Sequence, residues 1–231
     1  MNQSIAGKWA LVTGSSRGIG QQIAVGLAKH GVNIVLHGRE AQNTTATLKL
    51  LSPYEIKVKT VFGQFDTEAG VASVVEQIRI ACGEVDILYA NHGIQNRWQA
   101  VWDITQAEWA HTFQVNFFSM VSLCNSLIPA MVSKGYGKVI LTTSGIPDIP
   151  QLSPYGCSKA AMDKYVFDMS AQLKETGVTI HAMDPGWLKT DLGGPDAMFP
   201  VKTVLPGALV PVITDVLESG TVFSAQSYRG L

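Results

Sequence analysis

Residues 13–20 read Thr13-Gly14-Ser15-Ser16-Arg17-Gly18-Ile19-Gly20, and this stretch decides the fold. The apolar run Trp9-Ala10-Leu11-Val12 leads into it, and a helical pattern from Gln21 to His30 follows. Strand, glycine-rich turn and helix in that order make a phosphate cradle. Glycine permits positive φ and leaves no Cβ between backbone and ligand. The unpaired N–H groups and the dipole at a helix start favour an anion. The glycines at 14, 18 and 20 give the spacing G-x-x-x-G-x-G. This differs from the dinucleotide fingerprint G-x-G-x-x-G, and no Gly-Lys-Ser/Thr follows to make a P-loop. Taken alone, the turn is also open to reading as a plain glycine-rich connection.

Working outward, short apolar runs alternate with longer helical patterns. The strand candidates are 8–13, 32–37, 56–62, 85–90, 137–143, 178–183 and 221–225. Several are continuous Val/Ile/Leu runs, as expected of strands buried on both faces. The helix candidates are 18–30, 40–51, 67–81, 105–133, 154–175 and 206–218. Thr105 with Glu108 makes a capping box for the fourth. Gly31, Gly83, Gly135 and Gly177 fall just past helix ends, where a left-handed residue is wanted. The alternation predicts an α/β, doubly wound (Rossmann) three-layer sandwich with a seven-stranded parallel sheet. The chain of 231 residues is expected to form one such domain. In such sheets ligands bind beyond the carboxyl ends of the strands.

Bulk properties narrow the function. A net charge of −1 gives no electrostatic case for nucleic acid or an anionic membrane. The three cysteines, Cys82, Cys124 and Cys157, include no C-x-x-C pair. That fits a reducing cytoplasm and offers no zinc framework, so no metal is expected. Residues 1–8 lack the long apolar stretch of a signal peptide, and no uninterrupted apolar run approaches membrane-spanning length.

The second strand ends Ile34-Val35-Leu36-His37, followed by Gly38-Arg39. An NAD site places an acidic residue near here for the ribose 2′-hydroxyl. Gly38 cannot serve, whereas Arg39 would pair with a 2′-phosphate, assisted by Arg17. NADP is therefore expected in preference to NAD, with Arg39 as a solvated helix-opening charge the alternative. Asp66, after the third strand, suits the adenine amino group or an N-cap of the next helix.

Tyr155-Gly156-Cys157-Ser158-Lys159 puts Tyr and Lys at i and i+4 near a helix start, on one face. A neighbouring ammonium favours the phenolate and lowers the Tyr pKa from its usual value of about 10. Alone, Y-x-x-x-K is commonplace. The order of motifs is not. The glycine turn is followed by Ala90-Asn91-His92-Gly93, then Asn116, then Ser144. Tyr155 and Lys159 come next, and Pro185-Gly186-Trp187-Leu188-Lys189-Thr190 closes the series.

This series resembles the short-chain dehydrogenase/reductase family of the classical type over nearly the whole chain. The resemblance implies a general acid/base role for Tyr155 in carbonyl reduction and alcohol oxidation. It implies that Lys159 lowers the Tyr155 pKa and binds the nicotinamide ribose, and that Ser144 donates to the substrate oxygen. Asn116, in Gln114-Val115-Asn116-Phe117, would distort its helix and hold a water linking Lys159 to solvent. Gly14, Ser16, Arg17, Gly18, Ile19 and Gly20 would cradle the cofactor phosphates. Asn91 and Gly93 would line the adenosine ribose or shape the turn beside it. Pro185, Gly186, Trp187, Leu188 and Thr190 would wrap the nicotinamide.

Three features depart from the family pattern. Ala90 and His92 stand where the turn after strand four usually has Asn and Ala, and His92 reads as a packing or hydrogen-bonded residue. Thr142 and Thr143 compete with Ser144 for the hydroxyl role; Ser144 is preferred because Gly145 follows it. The part after Thr190 is short, and its Gly/Pro-rich stretch reads as a lid that orders on cofactor binding. In this the chain resembles the compact C-factor-like and small carbonyl reductase subgroup.

Segments 94–102, 145–153 and 187–205 should face the substrate, and they are largely apolar with few, mixed charges. That favours a neutral ketone, aldehyde or secondary alcohol. The apolar circumference of helices four and five implies a homodimer or homotetramer. The expected function is NADP-dependent hydride transfer to or from a small carbonyl or alcohol. The alternatives are a weakly active NADP(H)-binding sensor and a 3-oxoacyl-acyl-carrier-protein reductase.

Overall fold

The computed structural model describes residues 5–230. Six strands alternate with helices: β1 (Trp9–Val12), β2 (Asn33–Gly38), β3 (Val58–Phe62), β4 (Ile87–Ala90), β5 (Gly137–Thr142) and β6 (Val178–Asp184). A small ribbon of β7 (Leu188–Lys189) and β8 (Phe199–Pro200) follows, and β9 (Val222–Ser224) completes the main sheet. The seven-stranded sheet has the order β3-β2-β1-β4-β5-β6-β9, every pair parallel. Each strand candidate of the sequence corresponds to one of these seven strands.

The helices form two outer layers over separate cores. On one face, α1 (Gly18–Lys29), α2 (Thr45–Leu51) and α7 (Val210–Ile213) cover Ala10, Val12, Ile34, Leu36 and Tyr89. On the other, α3 (Glu68–Cys82), α5 (Ser119–Lys134) and α6 (Ser153–Gln172) cover Leu11, Val35, Leu88, Val139 and Ile180. Alternate residues of one strand thus enter opposite cores, which is why the strands are apolar throughout. The chain reverses its winding between β1 and β4, so their carboxyl ends open the crevice where α/β folds bind ligands.

The fourth helix candidate is more complex than its pattern suggests. It begins as α4 (Gln106–Phe113), with the capping box formed by Thr105 and Glu108. It then widens into a π turn over Gln114–Phe118 before continuing as α5. The continuous stretch Gln106–Lys134 is long and apolar enough to cross a bilayer, but half of its most apolar window is buried inside the molecule.

Other boundaries also moved. Residues 41–44 of the second helix candidate form a 3-10 turn ahead of α2. The candidate helix 206–218 is reduced to a 3-10 turn, Gly207–Leu209, and the four residues of α7. Pro206 and Pro211 supply no N–H to a longer helix, and a Cβ on Gly207 would meet the Ala225 carbonyl oxygen at 1.9 Å. Thr214 then turns extended, its hydroxyl donating back to the Val210 carbonyl at 2.7 Å. The fifth candidate ends at Gln172, and Glu175 takes a left-handed φ of +64° before Gly177.

Candidate active site

The glycine turn lies at the crevice. Gly14 and Gly18 adopt φ of +61° and +59°, and a Cβ on Gly20 would lie 2.4 Å from the Gly14 carbonyl oxygen. Helix α1 starts at Gly18 with an extended N-cap, Arg17, that gives no side-chain cap, and its first turn holds no acidic residue. Its leading N–H groups therefore face the crevice without a side-chain acceptor, as an anion site requires. Those residues fit a dinucleotide phosphate.

The turn is held from β2 by a residue the sequence reading passed over. His37 Nδ1 accepts from the Gly14 N–H at 3.1 Å, and its backbone N–H donates to Ser15 Oγ at 3.0 Å. Its Nε2 lies 3.1 Å from the Gly63 carbonyl, which can only accept, so the proton sits on Nε2. Burial lowers its pKa to about 4 and keeps the ring neutral. Phe65 stacks on His37 at 4.4 Å and meets His92 at 4.1 Å.

Around the turn, Arg17 Nε reaches Asp191 at 2.9 Å, both side chains being about two-thirds exposed. Arg39 is exposed and has no ion pair among the described residues. Asp66 is exposed and is not the N-cap of α3: Thr67 is, accepting from the Gly70 N–H at 3.1 Å. The hydroxyl of Thr67 has the reach, one residue nearer the helix.

Asn91 is turned inward rather than along the crevice. Its Nδ2 donates to the Thr13 carbonyl at 3.2 Å, and its Oδ1 accepts from Thr142 Oγ1 at 3.2 Å. It thus ties β1, β4 and β5 together at their carboxyl ends. His92 is buried: Nδ1 pairs with Thr13 Oγ1 at 2.8 Å and Nε2 donates to the Val115 carbonyl at 3.1 Å. Burial, with His37 and Lys159 nearby, holds it well below the ordinary imidazole range. It is the hydrogen-bonded packing residue the sequence suggested.

The π turn places Asn116 in full burial. Its Nδ2 donates to the Ile94 carbonyl at 2.9 Å and to Ser158 Oγ at 3.0 Å, while its Oδ1 accepts from the Ile94 N–H at 2.8 Å. The helix is distorted as expected, and both amide protons are committed to protein, so the side chain braces this part of the site. Ser158 belongs to α6, so the brace reaches the helix carrying Tyr155 and Lys159.

Among the three candidate hydroxyls, two donate their protons to protein acceptors. Thr142 Oγ1 bonds Asn91 and Thr143 Oγ1 donates to the Lys159 carbonyl at 3.3 Å. Ser144 Oγ accepts from the Ile146 N–H at 3.2 Å and keeps its own proton free, and it is the hydroxyl that acts on Tyr155, lowering its pKa. Lys159 is buried, with Nζ donating to the Thr142 carbonyl at 2.7 Å and lying 5.7 Å from the Tyr155 ring centre. Burial lowers the Lys159 pKa to about 8, with Asp163 opposing.

Tyr155 departs from the expected direction. Its pKa lies above its ordinary value: burial pushes it up, the Ser144 hydrogen bond pulls it back, and the Asp184 charge pushes it up further. The Lys159 ammonium is turned to a carbonyl and is weakened by the same burial. It therefore does not hold Tyr155 down in this arrangement.

The segment after β6 closes the crevice. The Gly186 N–H donates to Asp184 Oδ1 at 2.9 Å, and Gln226 Nε2 donates to the Pro185 carbonyl at 2.6 Å. Trp187 is exposed, with Nε1 donating to the Gly193 carbonyl at 2.8 Å, and Leu188 is buried. A Cβ on Gly18 would lie 3.5 Å from Thr190 Cγ2, so this segment touches the glycine turn. Elements far apart in sequence thus surround one crevice.

The family model described as short chain dehydrogenase matches residues 8–197. The chain belongs to the short chain dehydrogenase family. Versicolorin reductase 1 of Dothistroma septosporum is 32% identical over 198 residues, covering 83% of this chain and 73% of that protein. The 3-oxoacyl-acyl-carrier-protein reductase of Escherichia coli is 30% identical over 188 residues, covering 80% and 75%. The crystal structure of L-sorbose reductase from Gluconobacter frateurii, complexed with NADPH and L-sorbose, superposes with a TM-score of 0.86. It is 25% identical and covers 97% of each chain. Within this short chain dehydrogenase, His37 and Asp184 are the site-proximal residues that sequence reasoning missed. Neither belongs to a spaced motif; only the sheet register brings them to the crevice.

Proposed function

We propose that the chain is an NADP-dependent oxidoreductase acting on a neutral carbonyl or secondary alcohol, with Tyr155 as its acid and base. One observation carries the reading. Ser144, whose hydroxyl proton has no protein acceptor among the described hydrogen bonds, stands with Tyr155 and buried Lys159 at the carboxyl ends of the strands that also bear the glycine turn.

Gly14, Ser16, Gly18, Ile19 and Gly20 would hold the cofactor phosphates, and Arg17 and Arg39 the 2′-phosphate. Asp66 would take the adenine end. Gly93 would line the adenosine ribose or shape the turn beside it, and Pro185, Gly186, Trp187, Leu188 and Thr190 would enclose the nicotinamide with Tyr155 and Lys159. The NADPH bound by L-sorbose reductase supports this choice of dinucleotide. When bound, the nicotinamide supplies or accepts the hydride. In reduction, the Tyr155 hydroxyl gives its proton to the substrate oxygen as charge grows there, and Ser144 donates to the same oxygen. Lys159, with a pKa of about 8, is placed to return a proton near neutral pH. Asn116 and Ser158 keep α6 in register.

The exposed apolar side chains Trp98, Trp187 and Met198 in the expected substrate-facing segments support an uncharged substrate. Exposed Phe118 on the π turn and Phe167 on α6 support a homodimer or homotetramer packed through that face. We read residues 1–231 as one domain, placed in the cytoplasm.

The test is a panel of ketones and aldehydes with NADPH and with NADH, read at the reduced-nicotinamide absorbance. Turnover preferring NADPH, lost at least about 100-fold in Tyr155→Phe, is expected. Tight NADPH binding without turnover of any carbonyl would favour a sensor.

A further inference from the structure

Asn96 lies in the segment 94–102, which has no regular structure before the 3-10 turn Val101–Asp103. The residue is buried, only 8% exposed. Its Nδ2 spends both protons on backbone oxygens, donating to the Arg97 carbonyl at 3.0 Å and to the Gln151 carbonyl at 2.9 Å. Exchanging the two ends of the amide would set its oxygen against both carbonyls, so these bonds fix which end is which. Oδ1 is left buried with no hydrogen-bond partner. Among the described residues it is the only such side-chain atom in the three segments expected to face the substrate.

Two short connections tie this position to the reacting groups. Ile94, two residues earlier, is clamped at its N–H and its carbonyl by Asn116. Gln151 lies in the 3-10 turn Pro150–Leu152, which runs directly into α6 four residues before Tyr155. Asn96 therefore bridges two of the three substrate-facing segments where they meet the helix bearing Tyr155. A buried acceptor without a donor is costly, and native proteins leave few of them. The chain itself supplies no donor to Oδ1, so a bound molecule is the group that can.

We propose that Asn96 determines specificity, its Oδ1 accepting from a second hydroxyl on the substrate. The substrate class is then a hydroxy ketone or hydroxy aldehyde, with a diol as its reduced form, rather than a simple carbonyl. This rests on the oxidoreductase reading above. The polarity of the site agrees. Tyr155 and Ser144 both present donors to the reacting oxygen in reduction, and neither takes the proton of a neighbouring hydroxyl. Asn96 offers an acceptor alone, because its donors are spent. An amide oxygen carries no charge to hold a buried ammonium, so the donor that suits it is a hydroxyl. The hydride still goes to the carbonyl carbon and the Tyr155 proton to its oxygen. The second hydroxyl keeps its proton and is only oriented.

The experiment compares ketones with NADPH on the full-length protein. The hydroxy ketones are hydroxyacetone and erythrulose, which has hydroxyls both next to the carbonyl and one carbon further out. The controls are ethyl methyl ketone, which matches hydroxyacetone in size, and methoxyacetone, which keeps the electron-withdrawing oxygen but has no O–H. The parent chain should favour at least one hydroxy ketone over both controls by at least about tenfold in kcat/KM, because a site built to bond a hydroxyl rejects the analogue lacking it. In Asn96→Ala and Asn96→Leu the preference should fall below about threefold. A merely structural brace would slow all four ketones alike and leave the ratios unmoved. Where neither variant folds, the parent ratios decide. Absence of the preference in the parent would overturn the proposal while leaving the oxidoreductase reading intact, and so would its persistence in a folded Asn96 variant. No NADPH oxidation with any carbonyl would sink that reading, and the proposal with it.

Discussion

Gly20 has no room for a side chain, and the reason is backbone rather than solvent. An added Cβ would meet the Gly14 carbonyl oxygen at 2.4 Å and Asn91 Nδ2 at 2.8 Å. The oxygen belongs to the turn itself, so relief requires the turn to open. Gly20→Ala should therefore cost about 1–3 kcal/mol of stability, as overpacking does. It should also weaken NADPH binding at least about tenfold, because the displaced backbone is the proposed phosphate cradle. Urea unfolding and a fluorescence titration with NADPH check the two parts; wild-type affinity would show that the turn is not the cradle. This glycine was legible because its spacing recurs in a sequence motif. His37 and Asp184 were not, because their neighbours are set by pairing between strands. Asp184 pairs with Ser224 in the register of β6 and β9, yet its carboxylate reaches over β5 to Gly145.

Helix periodicity announced a long helix at 105–133 and could not announce its π turn. One extra residue in the turn leaves the apolar pattern continuous while rotating the helix beyond it. That rotation lets Asn116 turn its amide into the molecule against Ile94 and Ser158. Asn116→Ala strips the Ile94 N–H and carbonyl of these partners in a buried place. The expected loss is about 2–4 kcal/mol, since unsatisfied buried groups cost about 1–3 kcal/mol each. Asn116→Asp keeps the acceptor but not the donors, and should fall between. Chemical denaturation measures both; a loss below about 0.5 kcal/mol for Asn116→Ala would mean the brace carries no stability. The segment 206–218 failed as a helix for the converse reason. Its apolar residues are real core, Leu209 and Val212 among them, but prolines and the contact with Ala225 impose short turns. Apolar periodicity reports burial, and backbone chemistry decides the element.

Across the whole molecule, three of the five histidines are buried and held neutral. His37 and His181 are lowered to about 4, chiefly by burial, and His92 lies well below 6.5 for the same reason. The unfolded chain takes up these protons near pH 6.5, and the folded chain does so only far below. Stability is therefore complete above about pH 6.5 and declines as pH falls toward 4. By pH 5 each imidazole contributes a loss of about 2 kcal/mol, on the order of 5 kcal/mol for the three together. His30 and His111 are exposed and show no such burial. Urea unfolding at pH 7, 6 and 5 should thus give a steadily falling midpoint. His92→Ala, which puts a residue usual in the family at this position, should be less stable at pH 7 yet lose about a third less between pH 7 and pH 5. A midpoint independent of pH over that interval would contradict the neutral stack of His37, Phe65 and His92. An undiminished slope in His92→Ala would remove His92 from it. The same stack underlies the glycine turn through the Gly14 N–H, so acid weakening should reach NADPH binding before global unfolding.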